Sequence, residues 1–175
     1  SIKKIISDGG SCILMSHLGR PKGVDQSLSM GNIAKEVERV LGAEILLSRD
    51  VIGPDAKSKS KALKPGEILL LENLRFHKEE TEGDVAFAEE LSKLADCYIN
   101  DAFGTAHRAH ASTTIIAQFF EYKFFGRLLE KEVLSIDKVM KSGEKPVLAI
   151  LGGAKISTKD RKSTRLNSSH LVISY

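Results

Sequence analysis

Residues 97–112 read CYINDAFGTAHRAHAS. Cys97, Tyr98 and Ile99 make a short β-prone apolar run, and residues 100–112 then hold one carboxylate, one glycine, one arginine and two histidines among few bulky apolar side chains. Such a switch marks the place where a buried strand delivers its chain to the carboxyl edge of a sheet. In open α/β sheets that edge is where ligands bind.

Working outward, the same alternation recurs. Residues 11–16 (SCILMS), 43–47 (AEILL), 67–71 (EILLL), 97–100 (CYIN) and 146–151 (PVLAIL) are short apolar runs suited to strands buried on both faces. Between them lie helix candidates at residues 28–41 ending at Gly42, at 55–63 stopped by Pro65 and Gly66, and at 84–95 with Val85, Phe87, Ala88, Leu91 and Leu94 on one face. Strands separated by helices predict an α/β fold, a doubly wound parallel sheet of Rossmann-like, three-layer type. Residues 128–140 (LLEKEVLSIDKVM) form a further amphipathic helix, and 141–146 (KSGEKP) is the best linker in the chain. Residues 2–6 read as the end of an amphipathic helix.

Composition narrows the class. With 175 residues, 42% hydrophobic and 28% charged, the chain is of soluble globular type and carries no apolar run near the ~18 residues of a membrane span. Three of the 26 basic residues and one of the 23 acids lie past residue 159, which leaves a body of 23 against 22. That near-neutral balance predicts no nucleic-acid partner. Cys12 and Cys97 lie in apolar runs without CxxC or Cys/His spacing and are expected as reduced core residues of a cytosolic protein, in neither a disulfide nor a metal site. The chain opens on Ser1 with no signal-peptide pattern, and an amino-terminal part of a larger protein is expected to precede it. Residues 161–175 (RKSTRLNSSHLVISY) lack a helical period where a helix should follow, and read as a disordered or foreign tail.

Four places carry chemistry. Residues 16–23 (SHLGRPKG) follow a strand, and their glycines and proline fix a turn that projects His17 and Arg20, although a basic turn is commonly only a solvated loop. Residues 71–77 (LENLRFH) present Arg75 at another strand end, where pairing with Glu72 or Glu79 is the plain alternative. In residues 100–112, Asp101 reads equally as a helix N-cap with Ala102 opening the first turn, and the histidines as polar residues satisfied under a loop. Their spacing is not that of a zinc site. Residues 152–159 (GGAKISTK) resemble a phosphate cradle, with Lys155 and Lys159 four apart, but lack the GxxxxGK[ST] spacing of a Walker A loop. Taken together, three strand ends bring His17, Arg20, Arg75, His107 and Arg108 to one edge of one sheet. Guanidinium forks bind phosphate and carboxylate bidentately, so the site suits a small phosphorylated acid.

SHLGRPKG, LLENLRFH, YINDAFGTAHRAHAS and LAILGGAKISTK, in this order, resemble the phosphoglycerate kinase family across about residues 1–159. The resemblance implies phosphoryl transfer between 1,3-bisphosphoglycerate and ADP, with Mg2+ on the ATP or ADP, in a cytoplasmic monomer without membrane partners. It places Ser16, His17, Gly19, Arg20, Leu74, Arg75, His107 and Arg108 at the 3-phosphoglycerate site. Gly153, Ala154, Lys155 and Lys159 fall on the nucleotide side, with the two lysines catalytic. Residues 1–126 would be part of an amino-terminal substrate domain, 127–144 the interdomain helix and linker, and 145–159 the start of a nucleotide domain, with 160–175 outside the pattern. Thr158 stands where many relatives carry an aspartate, so no metal role is assigned there. The family's first strand, with an aspartate, an asparagine and an essential arginine, would precede Ser1, and most of the nucleotide domain would follow the chain. The 175 residues alone are therefore expected to be inactive. The alternative is a non-catalytic Rossmann-like anion-binding module, against which a second lysine-bearing loop after a linker argues.

Overall fold

A computed structural model of the chain describes residues 1–142, 149–151 and 172–174. They divide into two compact units, Ser1–Lys131 and Glu132–Tyr175. The division falls inside the helix expected to join two domains.

The first unit opens with helix α1 (Ile2–Ser7) and a parallel sheet of β1 (Cys12–Leu14), β2 (Leu46–Leu47) and β3 (Ile68–Leu70) in the order β1-β3-β2. β3 is central and every one of its residues is buried, as the unbroken apolar run predicts for a strand covered on both faces. Helix α2 (Gly31–Leu41) follows β1, and α3 (Pro54–Ala62) follows β2. α2 ends where expected, at Gly42, whose φ of 69° is left-handed and which donates its N–H to the Glu38 carbonyl. It begins later than predicted. Asp25 caps a separate 3-10 turn at Gln26–Leu28, and the Glu72 carboxylate takes the Met30 N–H at 2.7 Å and the Ser29 hydroxyl at 2.6 Å.

Two short helices, α4 (Lys78–Glu82) and α5 (Val85–Ser92), lead to β4 (Tyr98–Asn100), which pairs in parallel with β5 (Lys123–Phe125). Here the structure corrects the expectation of one sheet. β4 hydrogen-bonds to β5 in a second, two-stranded sheet, whereas β1 and β3 belong to the first. Both nevertheless stand on one core, in which Leu69 and Leu71 from the first sheet join Tyr98 from the second with Phe87, Leu91 and Ile116. On α5, Phe87, Ala88 and Leu91 are buried as predicted, but Val85 at the amino end is exposed. Cys97 is also a correction, because it precedes the β4 ladder and is exposed, while Cys12 is half-buried; both thiols are free.

Helix α6 (Arg127–Ser142) starts in the first unit and continues into the second. In the second unit β6 (Ala149–Leu151) pairs in parallel with β7 (Val172–Ser174), so three residues of the predicted tail form a strand. No helix among the described residues is long and apolar enough to cross a membrane.

Candidate anion-binding site

Three loops of the first unit meet at a cavity of about 740 Å³. Its wall carries Arg20, Lys22, Arg75, Lys78, Arg108 and His110, with Glu79 as its acid.

The first loop follows β1 and is held by its neighbour. The Leu74 N–H donates to the Ser16 carbonyl at 3.1 Å. Asn73, fully buried, donates its side-chain amide to the Leu18 and Leu28 carbonyls, both at 2.8 Å. Gly19 has a φ of 65°, and a side chain there would also press on Leu28. Its carbonyl accepts from the Arg75 guanidinium at 2.8 Å. Ser16 and Gly19 thus contribute backbone to the loop that projects Arg20.

The second loop follows β3 and turns in a 3-10 helix, Leu74–Phe76, capped by Asn73 through the Arg75 N–H. Leu74 itself is packed in the core and does not reach the cavity wall. Its contribution is to anchor the turn that aims Arg75. Glu72 is engaged with Ser29 and Met30, and none of the ion pairs among the described residues involves Arg20, Arg75 or Arg108. The surface-pairing alternative for Arg75 is therefore not what the structure contains. Its Nε is buried and has no hydrogen-bond partner among the described residues.

The third loop follows β4. Thr113 and Thr114 each donate a hydroxyl to the Arg108 carbonyl at 2.9 Å. The Tyr98 hydroxyl, pushed up to about 12 by burial and by Glu80, stays protonated and donates to the Ser112 and Thr113 carbonyls. Glu80 of α4 is buried at 2% exposure. It accepts the Ser112 N–H at 3.0 Å and the Ser112 hydroxyl at 2.6 Å, and lies 3.8 Å from His110 Nδ1. Gly83, with a φ of 71°, ends α4 where any side chain would collide with the Ala109 carbonyl.

The like charges act on one another. Burial lowers the Arg75 pKa, and Arg108 and Arg20 lower it further against the pull of Glu80. His17 is lowered by burial and then by Arg75, His110 and Arg108. Burial likewise lowers His110, opposed by Glu80 and reinforced by Arg75, Arg108 and His107. Both of these imidazoles are consequently neutral near pH 7. Of the predicted residues, Arg20, Arg75 and Arg108 line the cavity, His17 sits in their field, and His107 is not on the wall. His110 is on the wall, and it, Asn73 and Glu80 are site residues that the sequence does not mark. The two histidines stand three apart, and only the placement of the loop on Glu80 distinguishes them. Gly153, Ala154, Lys155 and Lys159 lie outside the described residues. No three His, Cys, Asp or Glu side chains are grouped to hold a metal ion among the described residues.

The chain is 45% identical over 185 residues to a phosphoglycerate kinase of Porphyromonas gingivalis, covering 91% of the chain and 44% of that protein. It is 51% identical over 160 residues to a phosphoglycerate kinase of Chlorobium phaeobacteroides, covering 91% of the chain and 40% of that protein. The chain thus spans about two-fifths of the length of these curated relatives. The solved phosphoglycerate kinase of Coxiella burnetii superimposes with a TM-score of 0.77 at 34% identity, over 91% of the chain and 40% of that structure. A family model described as phosphoglycerate kinase matches residues 1–169, ten residues past the last motif, and the chain belongs to that family.

Proposed function

We propose that the first unit binds 3-phosphoglycerate, as part of an enzyme that moves a phosphoryl group reversibly between 1,3-bisphosphoglycerate and ADP. The observation that carries this reading is the convergence of Arg20, Arg75 and Arg108 on one cavity, with no acid among the described residues in an ion pair with any of them. Cations gathered without partners raise the energy of the empty site, and a phosphorylated acid supplies the missing charge. The Arg75 guanidinium, steadied by its bond to the Gly19 carbonyl, stands on the wall of that cavity. His17 and His107 complete the anchoring set, with His110 beside them, while Ser16, Gly19 and Leu74 shape the loops.

Phosphoryl transfer asks little covalent work of a protein, so positioning and electrostatics supply the rate. In the ATP-consuming direction a carboxylate oxygen of 3-phosphoglycerate attacks the terminal phosphorus, and the bond from that phosphorus to ADP breaks. The arginines hold the acid in line. Gly153 and Ala154 offer backbone to the nucleotide, and Lys155 and Lys159 balance charge on the phosphoryl oxygens in flight. Mg2+ on the nucleotide phosphates would neutralise part of that charge. α6 serves as the link between the substrate and nucleotide sides, and closure about it excludes water. The protein would act as a cytoplasmic monomer with no membrane partner, as the family resemblance implies, and with no nucleic-acid partner, which the near-neutral body charge favours. Because the chain spans two-fifths of its relatives, turnover is expected only from a longer reading frame.

Calorimetric titration of the chain with 3-phosphoglycerate tests the site. Arg75→Ala and Arg108→Ala should each weaken binding by about 1.5 to 3 kcal/mol, the scale of a hydrogen bond to a charged group. Affinity unchanged in both variants would remove the assignment.

A further inference from the structure

The loop that carries Arg108 is tied at its other end to a helix. Asp101 Oδ1 accepts the backbone N–H groups of Leu128 at 2.8 Å and Leu129 at 3.1 Å. Its Oδ2 accepts the Ser1 hydroxyl at 2.7 Å, and the Ser1 oxygen in turn accepts the Arg127 N–H at 2.8 Å. The next amide, Glu130, bonds to the Gly126 carbonyl at 3.0 Å. Every unpaired N–H of the first turn of α6 is thereby satisfied, and Asp101 organises the whole set from 27 residues away. Gly126 permits the approach, since a Cβ there would collide with the Asp101 carboxylate, and its own N–H donates to the Asn100 carbonyl at 2.8 Å. Burial works to raise the Asp101 pKa, but the hydrogen bonds from Ser1, Leu129 and Leu128 hold it below the usual carboxylate value.

From Asp101 the chain reaches Arg108 through consecutive short hydrogen bonds. The Asn100 side chain takes the Ala102 N–H at 3.0 Å, Ala102 accepts from Thr105 at 3.2 Å, Phe103 from Ala106 at 3.1 Å, and Thr105 from Arg108 at 2.9 Å. A loop stitched in this way shifts as a piece rather than residue by residue. Its far end lines the cationic cavity, and its near end holds a helix whose first five residues belong to the first unit and whose remainder belongs to the second.

We propose that Asp101 is a positioning residue that couples the anion-binding loop to the first turn of α6, so that filling the cavity tightens the start of the helix leading into the second unit. The proposal rests on the reading of the cavity as a 3-phosphoglycerate site. Asp101 touches no substrate. It acts through Arg108 on one side and the Leu128 and Leu129 amides on the other, and such coupling is reciprocal: whatever the ligand does for the helix, an intact cap does for the ligand.

Amide hydrogen exchange on the 175-residue chain, with and without saturating 3-phosphoglycerate, tests it beside a calorimetric titration. In the wild type the ligand should slow exchange at Leu128 and Leu129 by about five-fold or more, the lower end of usual coupling effects. Asp101→Ala should abolish that response and weaken 3-phosphoglycerate binding by a similar factor, while the Leu69 and Leu70 amides of β3 stay protected and report the intact fold. Asp101→Asn keeps an acceptor oxygen and should restore most of the response. Should Asp101→Ala fail to fold, the Asp101→Asn variant and the wild-type exchange pattern still decide. Binding to the wild type with no change at Leu128 and Leu129, or an undiminished response in Asp101→Ala, overturns the coupling and leaves the anion site standing. Absence of any binding to the wild type overturns the site, and the coupling with it.

Discussion

His17 and His110 sit among guanidinium groups and are neutral near pH 7, since burial and the neighbouring cations lower both pKa values from 6.5. A lowered histidine binds its proton more weakly in the folded than in the unfolded chain. Their contribution to stability is therefore complete above about pH 6.5 and is lost as pH falls toward the folded values. Glu80, 3.8 Å from Nδ1, pulls the His110 pKa upward but does not reverse this, because burial with Arg75, Arg108 and His107 outweighs it. An anion in the cavity changes the sign of the local field and favours the imidazolium forms. Binding of 3-phosphoglycerate at pH 7 should accordingly take up a fraction of a proton, visible as a dependence of the calorimetric enthalpy on the ionisation enthalpy of the buffer. Replacing both histidines by glutamine should remove that dependence. A wild-type enthalpy independent of the buffer would show that neither imidazole senses the ligand.

Three helices, α2, α3 and α6, begin on carboxylates other than those of their own N-cap residues. α6 starts after Gly126 and is capped by Asp101, α3 starts after Gly53 and is capped by Asp50, and α2 takes the Glu72 carboxylate. Glycine just before α3 and α6 provides no side-chain acceptor of its own, and it clears the space the capping carboxylate fills, because a Cβ at Gly53 would run into Asp50 and one at Gly126 into Asp101. Asp50→Ala, which frees the Asp55 and Ala56 amides, should lower stability to urea by about 1 kcal/mol, with Asp50→Asn closer to wild type. Equal stability of the alanine variant would mean that water replaces the cap. This habit also marks what the sequence can reveal. β3 and α5 are legible because Leu69 to Leu71 and Phe87, Ala88 and Leu91 announce their elements by local apolar pattern, and Gly42 announces a helix end. α4, the charged pentapeptide KEETE, and β5, three exposed residues, have no pattern to show. Asp101 looks local in sequence, as a cap for the turn that follows it, and only the fold reveals that its amides are those of Leu128 and Leu129. His110 is hidden for a similar reason, since Glu80, which sets its side of the loop, lies 30 residues upstream.

The first unit gathers its cations from two sheets onto one core. Arg20 and Arg75 come from loops after β1 and β3, and Arg108 comes from the loop after β4, so the packing of Leu69 and Leu71 with Tyr98 is what holds like charges together. Folding the empty chain therefore works against repulsion that the unfolded chain avoids, and the anion offsets it. Two consequences separate this arrangement from an ordinary basic surface. Ligand should stabilise the chain by about 2.7 kcal/mol at a concentration 100 times its dissociation constant, as for any ligand that binds only the folded state. Arg108→Gln should do the opposite of a usual core-facing substitution: without ligand it should raise stability to urea by about 0.5 to 1 kcal/mol, within the range that relieved surface repulsion provides. With 3-phosphoglycerate at the concentration used for the wild type, most of the ligand's stabilisation should vanish. The two unfolding curves would then exchange order on addition of ligand, the variant leading in its absence and the wild type in its presence. An Arg108→Gln chain less stable than wild type in both conditions would assign Arg108 a structural role in the loop, and the repulsion argument would fail with it.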